Sequence, residues 1–228
     1  MTRAEPVSEM VPATGSLQGR AQVTRQALLV AAATRFAEVG YHGTSLSEVI
    51  AASKVTKGAL YFHFISKQAL ADAVVAEMVA GWKVMVAEVG TRGLDPLWAL
   101  LAQSDEAVAR VINDPIARGG IQLLADPGVL CAEATEHYVY GVTATTEQLR
   151  AAAATGLLRP GLDPERLGQV VVSMITGVKP ICHHAQGQQL WEVVTDLWQG
   201  LLPAIAADPW LKEWQATDWP RRPIPHIS

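Results

Sequence analysis

Apolar residues recur every three or four positions along most of this chain, which is the spacing of amphipathic α-helices. The first periodic segment predicts a helix over about 20–38 that ends at Val39, where Gly40 follows in the usual helix-stop position. A long periodic segment after Ser66, itself a predicted N-cap, predicts a helix that continues to about residue 89. No segment alternates convincingly as a strand does, so the predicted fold class is all-α.

Two short helices are predicted between these longer ones. Thr44 or Ser45 is placed to cap the first short helix, and Glu48 lies three residues after Ser45, which makes a capping box. Thr56 is placed to cap the second short helix. The turn between them is only residues 53–55, a length that fits a helix-turn-helix. The predicted domains are a flexible arm (1–18), a helix-turn-helix DNA-binding domain (19–65), a ligand-binding and dimerisation domain (66–207) and a C-terminal tail (208–228).

Aspartate–proline pairs punctuate the second domain, each with a capping carboxylate before a proline suited to the first helical position. They predict a helical bundle with helices over 95–113, 115–125, 129–155, 163–186 and 188–207. Dimerisation is expected through the last two of these helices. The apolar stripes predicted on these two helices are Leu167, Val170, Val171, Trp191, Val194, Trp198 and Leu201. The tail carries three tryptophans and four prolines, which argues against free disorder but indicates no function.

The net charge of −4 hides an uneven distribution along the chain. Residues 18–67 contain six basic and two acidic side chains, whereas the remainder contains 12 basic and 20 acidic ones. A small basic module attached to an acidic body is the arrangement expected when one end of a protein faces a polyanion.

The second short helix carries the candidate DNA-reading residues. Lys57 can reach a phosphate or a guanine edge, and Gly58 leaves room for the backbone to approach the groove. Tyr61, His63 and Lys67 offer further donors to phosphates. A small three-helix core with ordinary surface lysines is the competing interpretation.

The segment from Phe36 to Lys67, F-x-x-x-G-Y-x-x-T-S-L-S-E-V-I-x-x-S-x-V-T-K-G-A-L-Y-F-H-F-x-S-K, resembles the signature of the TetR repressor family. It covers the first third of the chain only. Within that family, VTKGALYFHF followed by SK is similar to the γ-butyrolactone autoregulator receptors of actinomycetes. The DNA-contacting residues expected from the pattern and the resemblance together are Thr44, Ser45, Thr56, Lys57, Gly58, Tyr61, His63 and Lys67.

The same resemblance implies a homodimeric repressor on a palindromic operator of double-stranded DNA, released by a small hydrophobic signalling ligand. It further implies control of antibiotic or secondary-metabolite genes. Those receptors usually carry a tryptophan where this chain has Gly141, with Tyr138 and Tyr140 nearby. A tyrosine can substitute, and a furan or butenolide is therefore as credible a ligand as a γ-butyrolactone.

Ligand-binding candidates are residues expected to line an apolar pocket between the predicted helices. The polar ones are the more informative, because a buried polar group needs a partner. Gln122 and Thr176 are the preferred pair, and Lys179 is either a partner for a carboxylate or a solvated residue at a dimer rim. For each candidate taken singly, ordinary core packing is the favoured interpretation. The full set is Trp82, Val86, Trp98, Gln122, Leu123, Thr143, Ser173, Met174, Thr176 and Gly177.

No catalytic or cofactor-binding motif is present, so we expect neither an enzyme nor a cofactor. Cys182, His183 and His184 are adjacent and diverge on a helix, so no metal site is expected. No apolar segment of membrane-spanning or signal-peptide length occurs, and we expect a cytoplasmic, nucleoid-associated protein. Three classes stay open: a ligand-responsive repressor, a TetR-like regulator without a small-molecule effector, and a helical binding protein with no DNA role.

Overall fold

The chain folds into a series of α-helices. The computed structural model describes residues 14–126, 132–178 and 187–225. Its helices are α1 (Thr14–Gly43), α2 (Leu46–Ser53), α3 (Lys57–His63), α4 (Lys67–Gly90), α5 (Pro96–Asn113), α6 (Pro115–Ala125), α7 (Ala132–Ala154), α8 (Pro164–Gly177), α9 (Gly187–Ile205), α10 (Asp208–Gln215) and a 3-10 helix at Trp219–Arg221. Within the described ranges, β pairing is confined to one isolated bridge between Leu158 and Ala206. The predicted all-α class is confirmed.

Helix α1 starts earlier than the sequence pattern predicts. It begins at Thr14 instead of about residue 20, so the last residues of the predicted flexible arm are helical. No proline lies between residue 12 and Pro96, so no proline interrupts α1. Its regular part ends at Gly40, where φ is 72°, a left-handed value that glycine adopts without strain. Residues 1–13 of the predicted arm lie outside the described residues.

The predicted caps of the next three helices are confirmed. The Ser45 hydroxyl accepts from the Glu48 amide at 3.2 Å, and the Glu48 carboxylate accepts from the Ser45 amide at 2.9 Å, which completes the capping box. Thr56 accepts from the amide of Ala59 and so caps α3. Ser66 caps α4 in the same manner.

The aspartate–proline pairs also begin helices as predicted. Asp95, Asp114 and Asp163 each accept a backbone N–H of the helix that follows, with proline at its start. The fourth pair, at 126–127, precedes residues outside the described ranges. The end of the predicted helix over 163–186 also lies outside them, and the described α8 stops at Gly177.

Two hydrophobic cores organise the fold. The N-terminal core joins α1 to α4 with α6, and the C-terminal core joins α5, α7, α8, α9 and α10. Ile116, Ile121 and Leu123 of α6 belong to the N-terminal core. The predicted boundary at residue 66 therefore does not separate the two cores, because α4 and α6 continue the packing of the first three helices.

Two adjacent glycines let α6 lie against α1 and α4. A Cβ atom at Gly119 would lie 2.3 Å from the carbonyl oxygen of Ala33 in α1. A Cβ atom at Gly120 would lie 2.5 Å from the sulfur of Met78 in α4. At Gly119 the overlap is with backbone, so glycine is required there, whereas at Gly120 a side chain would force the Met78 side chain to move.

The stripes predicted for dimerisation mostly face inward. Five of their residues belong to the C-terminal core: Leu167, Val171, Trp191, Val194 and Trp198. They occupy the faces of α8 and α9 that pack against the rest of the bundle, so they cannot supply an external surface. Val170 is exposed and Leu201 is partly buried.

We expect Gly119→Ala to destabilise the protein by about 3 kcal/mol, because the new methyl group overlaps the backbone of Ala33. Urea unfolding of the purified chain measures the change. Gly200→Ala is the matched control, since Gly200 is also helical and no atom lies within 4 Å of its Cβ position. That substitution should be neutral or stabilising by up to about 1 kcal/mol. Equal stability of the two variants would contradict the role of Gly119.

Candidate nucleic-acid interface and interhelical cavity

The start of α3 is an open surface. Thr56, Lys57 and Gly58 are all exposed, and no atom lies within 4 Å of the Cβ position of Gly58. The backbone here can therefore approach a flat or grooved partner closely. Lys57 lies beside Tyr61, with its Nζ 6.0 Å from the centre of the ring.

Two apolar side chains that the sequence analysis did not single out extend this surface. Phe62 is 80% exposed and meets the ring of His63 edge-on at 5.1 Å, and Ile65 is 85% exposed. Helical spacing could have identified Phe62, because it lies midway between Leu60 and Phe64, which share the buried face, and so points away from them. Tyr61 is also exposed, whereas His63 is half-buried.

Thr44 and Lys67, both expected to contact phosphates, already bond to backbone carbonyl groups of this chain. Thr44 is 2% exposed, and its hydroxyl donates to the carbonyl oxygen of Gly40 at 2.8 Å. Lys67 Nζ donates to the carbonyl oxygens of Tyr41 and Thr44, at 2.9 and 3.0 Å, and lies over the Tyr41 ring. Both side chains are drawn in because the end of α1 leaves carbonyl groups that need donors. The Lys67 ammonium has one N–H left, so it can still donate one hydrogen bond to a partner.

A charged cluster fixes α2 against α1. Arg35 donates to Glu38 at 2.7 Å and to Glu48 at 2.9 Å. The hydrogen bonds from Ser45 and the nearby charge of Arg35 lower the pKa of Glu48. The carboxylates of Glu38 and Glu48 raise the pKa of Arg35. The exposed Ser45, a predicted contact residue, is thus held in place by a charged network and by its capping role.

The body contains an interhelical cavity of about 180 Å³ between α4, α5, α6, α7, α8 and α9. A dry cavity of roughly 150 Å³ holds benzene in another protein, so this volume is sufficient for a small organic ring. The lining is mostly apolar. Its residues are Trp82, Met85, Val86, Leu100, Gln103, Ser104, Ala107, Val108, Val111, Ile121, His137, Tyr138, Tyr140, Gly141, Ala144, Thr145, Val171, Val172, Ile175, Thr176, Val178, Leu190, Val194 and Trp198.

Two hydrogen-bond donors in this lining are buried without a partner among the described residues. They are Nε1 of Trp82 and Nε2 of Gln103, and the Gln103 side chain belongs to a residue that is only 9% exposed. A buried donor without a partner is costly, so an acceptor oxygen within hydrogen-bond distance of either donor would be stabilised. Ser104 already accepts from Nε1 of Trp198 at 2.9 Å.

The structure brings only part of the predicted ligand-binding set together. Trp82, Val86 and Thr176 line the cavity, as do Tyr138, Tyr140 and Gly141 near the position of the family tryptophan. Seven candidates do not line it: Trp98, Gln122, Leu123, Thr143, Ser173, Met174 and Gly177.

Helix phase explains most of these misplacements. Successive residues point about 100° apart on a helix, so Ile121 faces the cavity while Gln122 does not. Leu123 is fully buried in the N-terminal core instead. Thr143 on α7 and Ser173 on α8 point to solvent.

The remaining misplaced candidates have other neighbours. Gly177 is exposed, and Met174 lines a separate small cavity between α8 and α9. Trp98 packs on Trp210 with ring centres 5.6 Å apart.

Sequence reasoning missed Gln103, Ser104 and His137 in the cavity wall. Gln103, Ser104 and Asp105 are consecutive polar residues of α5, and all three are buried. Such a polar run within a helix of the predicted bundle was the available signal, because buried polar groups need partners. The ring centres of His137 and Trp82 lie 4.3 Å apart in this wall.

No group of three metal-binding side chains occurs among the described residues. Cys182, His183 and His184, together with Lys179, lie outside the described residues. Nor does any helix in the described ranges have the length and apolarity needed to cross a membrane.

Comparison with known proteins points to one family. Residues 28–74 match the family model for bacterial regulatory proteins of the tetR family. The A-factor receptor protein of Streptomyces griseus is 30% identical over 190 residues, which are 83% of this chain and 66% of that protein. The chain thus spans just under two thirds of that relative's length.

Two solved structures are similar over most of their length. TylP, a TetR regulator from Streptomyces fradiae, is 30% identical, with 86% of each chain covered and a TM-score of 0.64. A second structure, described as the molecular basis for control of antibiotic production by bacterial hormones, is 31% identical. The match covers 81% of this chain and 98% of that one, with a TM-score of 0.73.

The charged cluster leads to a pH prediction. Because the pKa of Glu48 is lowered in the folded chain, its ionised form adds stability above the ordinary glutamate pKa, and this stability is lost as pH falls through the lowered value. Thermal melting should therefore show Glu48→Gln less stable than the parent near neutral pH, with the difference shrinking below about pH 4. Glu88→Gln, at an exposed position of α4, is the control. A difference that does not change with pH would contradict the assignment.

Proposed function

Because the chain belongs to the TetR family, we propose that it is a DNA-binding transcriptional repressor released from its operator by a small signalling molecule. The ligand classes proposed are a γ-butyrolactone, a furan or a butenolide. The observation that carries this proposal is the position of α4, whose Trp82 and Val86 line the cavity while its Leu70 and Val74 belong to the N-terminal core. One helix thus belongs to both sites.

The exposed face of α3 supports the DNA-binding part. Lys57, Gly58 and Tyr61 are proposed to enter the major groove, with Ser45 and Thr56 at phosphates. The remaining N–H of Lys67 is proposed to donate to a phosphate as well. A protein that binds operator DNA would be cytoplasmic and nucleoid-associated.

The lining of the cavity supports the ligand classes. It combines a large apolar surface with the free donors of Trp82 and Gln103, so it favours a compact apolar molecule that carries acceptor oxygens. The carbonyl and ring oxygens of a lactone, butenolide or furan have this chemistry. The similarity to the A-factor receptor protein and to a hormone-controlled regulator of antibiotic production points to the same kind of ligand and to antibiotic or secondary-metabolite genes.

The three-helix junction supports a route between the two sites. Ile121 lines the cavity, and the two residues that precede it, Gly119 and Gly120, pack directly on α1 and α4. A ligand that displaces Ile121 and Trp82 would move α6 and α4 together, and the DNA-binding helices with them. Ligand and DNA then weaken each other's binding by the same factor.

A palindromic operator requires two copies of α3 about 34 Å apart, one turn of DNA. We propose that two protomers pair through the outer faces of α8 and α9, where Val170 and Ile175 are exposed and Leu197 and Leu201 are partly buried. A symmetric pair of such faces is the usual form of a two-fold interface.

The deciding experiment is a salt-titrated binding isotherm to the palindromic duplex upstream of the gene for this chain, with and without an organic extract of the producing culture. Tight, salt-dependent binding that the extract abolishes supports the ligand-responsive repressor. Tight binding that the extract leaves unchanged would favour a regulator without a small-molecule effector. No binding to any duplex would favour a helical binding protein with no DNA role.

We expect Lys57→Ala to weaken operator binding by about 1–3 kcal/mol, because one base or phosphate contact is lost. Fluorescence anisotropy with the labelled duplex measures the affinity. Lys212→Ala removes the same charge from an exposed position on α10 and should leave the affinity unchanged. Similar losses in both variants would reduce the effect to net charge and contradict the contact assigned to Lys57.

We expect Gln103→Leu to raise the ligand concentration needed for release from the operator by about tenfold, because a neutral hydrogen bond to the ligand is lost. Operator affinity without ligand should not change. Gln122→Leu is the matched control on α6, since Gln122 lies outside the cavity lining. The proposed ligand contact would be wrong if both variants responded to ligand as the parent does.

A further inference from the structure

The C-terminal segment, residues 208–225, packs over the C-terminal core. Trp210, Trp214 and Trp219 are all buried in that core. The indole of Trp210 donates to Oδ2 of Asp95 at 3.1 Å, which attaches the segment to the start of α5. The burial of three tryptophans shows that this segment is an integral part of the body.

Arg222 is the centre of these contacts. Its guanidinium carbon lies 4.2 Å from the ring centre of Trp191 and 3.3 Å from that of Trp219. Its Nε donates to Oδ2 of Asp105 at 2.6 Å, and its Nη2 donates to the other carboxylate oxygen. Its Nη1 donates to the hydroxyl of Thr195 at 3.2 Å and to the carbonyl oxygen of Trp219 at 2.9 Å. One side chain therefore joins α5 to α9.

The residues that Arg222 joins are next to the wall of the interhelical cavity. Asp105 directly follows Gln103 and Ser104, which line the cavity, and Thr195 directly follows Val194, which also lines it. The wall itself contains one direct bond between the two helices, from the indole of Trp198 to the hydroxyl of Ser104. Arg222 adds the second connection behind it.

We propose that Arg222 is a positioning residue for the ligand site, holding α5 and α9 at the separation that keeps Gln103, Ser104 and Trp198 in place. This inference rests on the proposed ligand-binding function of the cavity. It assigns the C-terminal segment a part in ligand recognition and none in DNA recognition, since none of its residues belongs to the N-terminal core.

The physical reason is the burial of the ion pair. The side chains of Arg222 and Asp105 are only 13% and 12% exposed. Burial raises the pKa of Asp105 although Arg222 opposes this effect, so the carboxylate depends on its partner to remain charged in the interior. When one partner is removed, the other must reach water or take up a proton, and α5 then shifts relative to α9.

The test compares Arg222→Ala and Arg222→Lys with Arg221→Ala in the full chain. Arg221 is the neighbouring residue, with an exposed side chain that contacts Asp218 only at 3.8 Å, so it controls for loss of charge in the segment. Arg222→Lys keeps the charge but cannot span both carboxylate oxygens and Thr195.

The first measurement needs no ligand. Hydrogen exchange of the Trp198 indole N–H, followed by NMR with ¹⁵N-labelled tryptophan and assigned with Trp198→Phe, reports directly on the bond to Ser104. We expect exchange about tenfold faster in both Arg222 variants than in Arg221→Ala, because the wall opens more often. Where Arg222→Ala does not fold, Asp105→Asn and Arg222→Lys carry the same test.

The second measurement uses γ-decalactone as a neutral lactone probe, with its affinity read from the Trp82 indole resonance. We expect about tenfold weaker binding in the Arg222 variants, with operator affinity within about twofold of the parent. A lower melting temperature without any change in Trp198 exchange or lactone affinity would overturn the proposal. Faster Trp198 exchange in a chain that binds no lactone in any variant would support the positioning role and contradict the proposed ligand class.

Discussion

Helix α6 lies so close to α1 and α4 that only residues without a side chain fit where the helices cross. At Gly119 the contact is with backbone atoms of Ala33, which cannot turn aside as a flexible side chain can. The junction is therefore rigid, and packed helices of this kind transmit displacements because they are not continuously deformable. Since Ile121 of the same helix forms part of the cavity wall, the volume of the cavity and the orientation of α1 are not independent.

The features that the sequence predicts well are those decided by a few neighbouring residues. An aspartate before a proline determines where α5 begins, because Asp95 and the amides it accepts from are within three positions of each other. Ser45 and Glu48 cap α2 for the same reason. Membership of the TetR family could be recognised from the same short segment, since the residues that build these helices also carry its signature.

The features that the sequence predicts poorly depend on distances across the chain. To predict that Ile121 and not Gln122 lines the cavity, one must know how α6 is rotated relative to the five other helices that form it. One residue along a helix corresponds to about 100° of rotation. The sequence locates the end of α1 at Gly40, but it does not show that the Thr44 hydroxyl donates to the carbonyl oxygen of that residue and is buried there. The contact between Arg222 and Asp105 joins residues 117 positions apart, and only the folded chain brings them together.

The charge of the DNA-binding module is smaller at its surface than its composition indicates. Of its six basic side chains, Arg25 and Arg35 pair with glutamates, and Lys67 donates to backbone carbonyls. Arg20, Lys54 and Lys57 form no ion pair within the part of the chain that the structure describes, so they carry most of the charge open to a polyanion. Phosphate contacts beyond those that these three basic side chains can make must then come from hydroxyl and amide donors around Ser45 and Thr56. Uncharged donors of this kind release few counterions. Under the proposed function, the affinity for DNA would consequently depend more on the fit of α3 in the groove than on the net charge of the module.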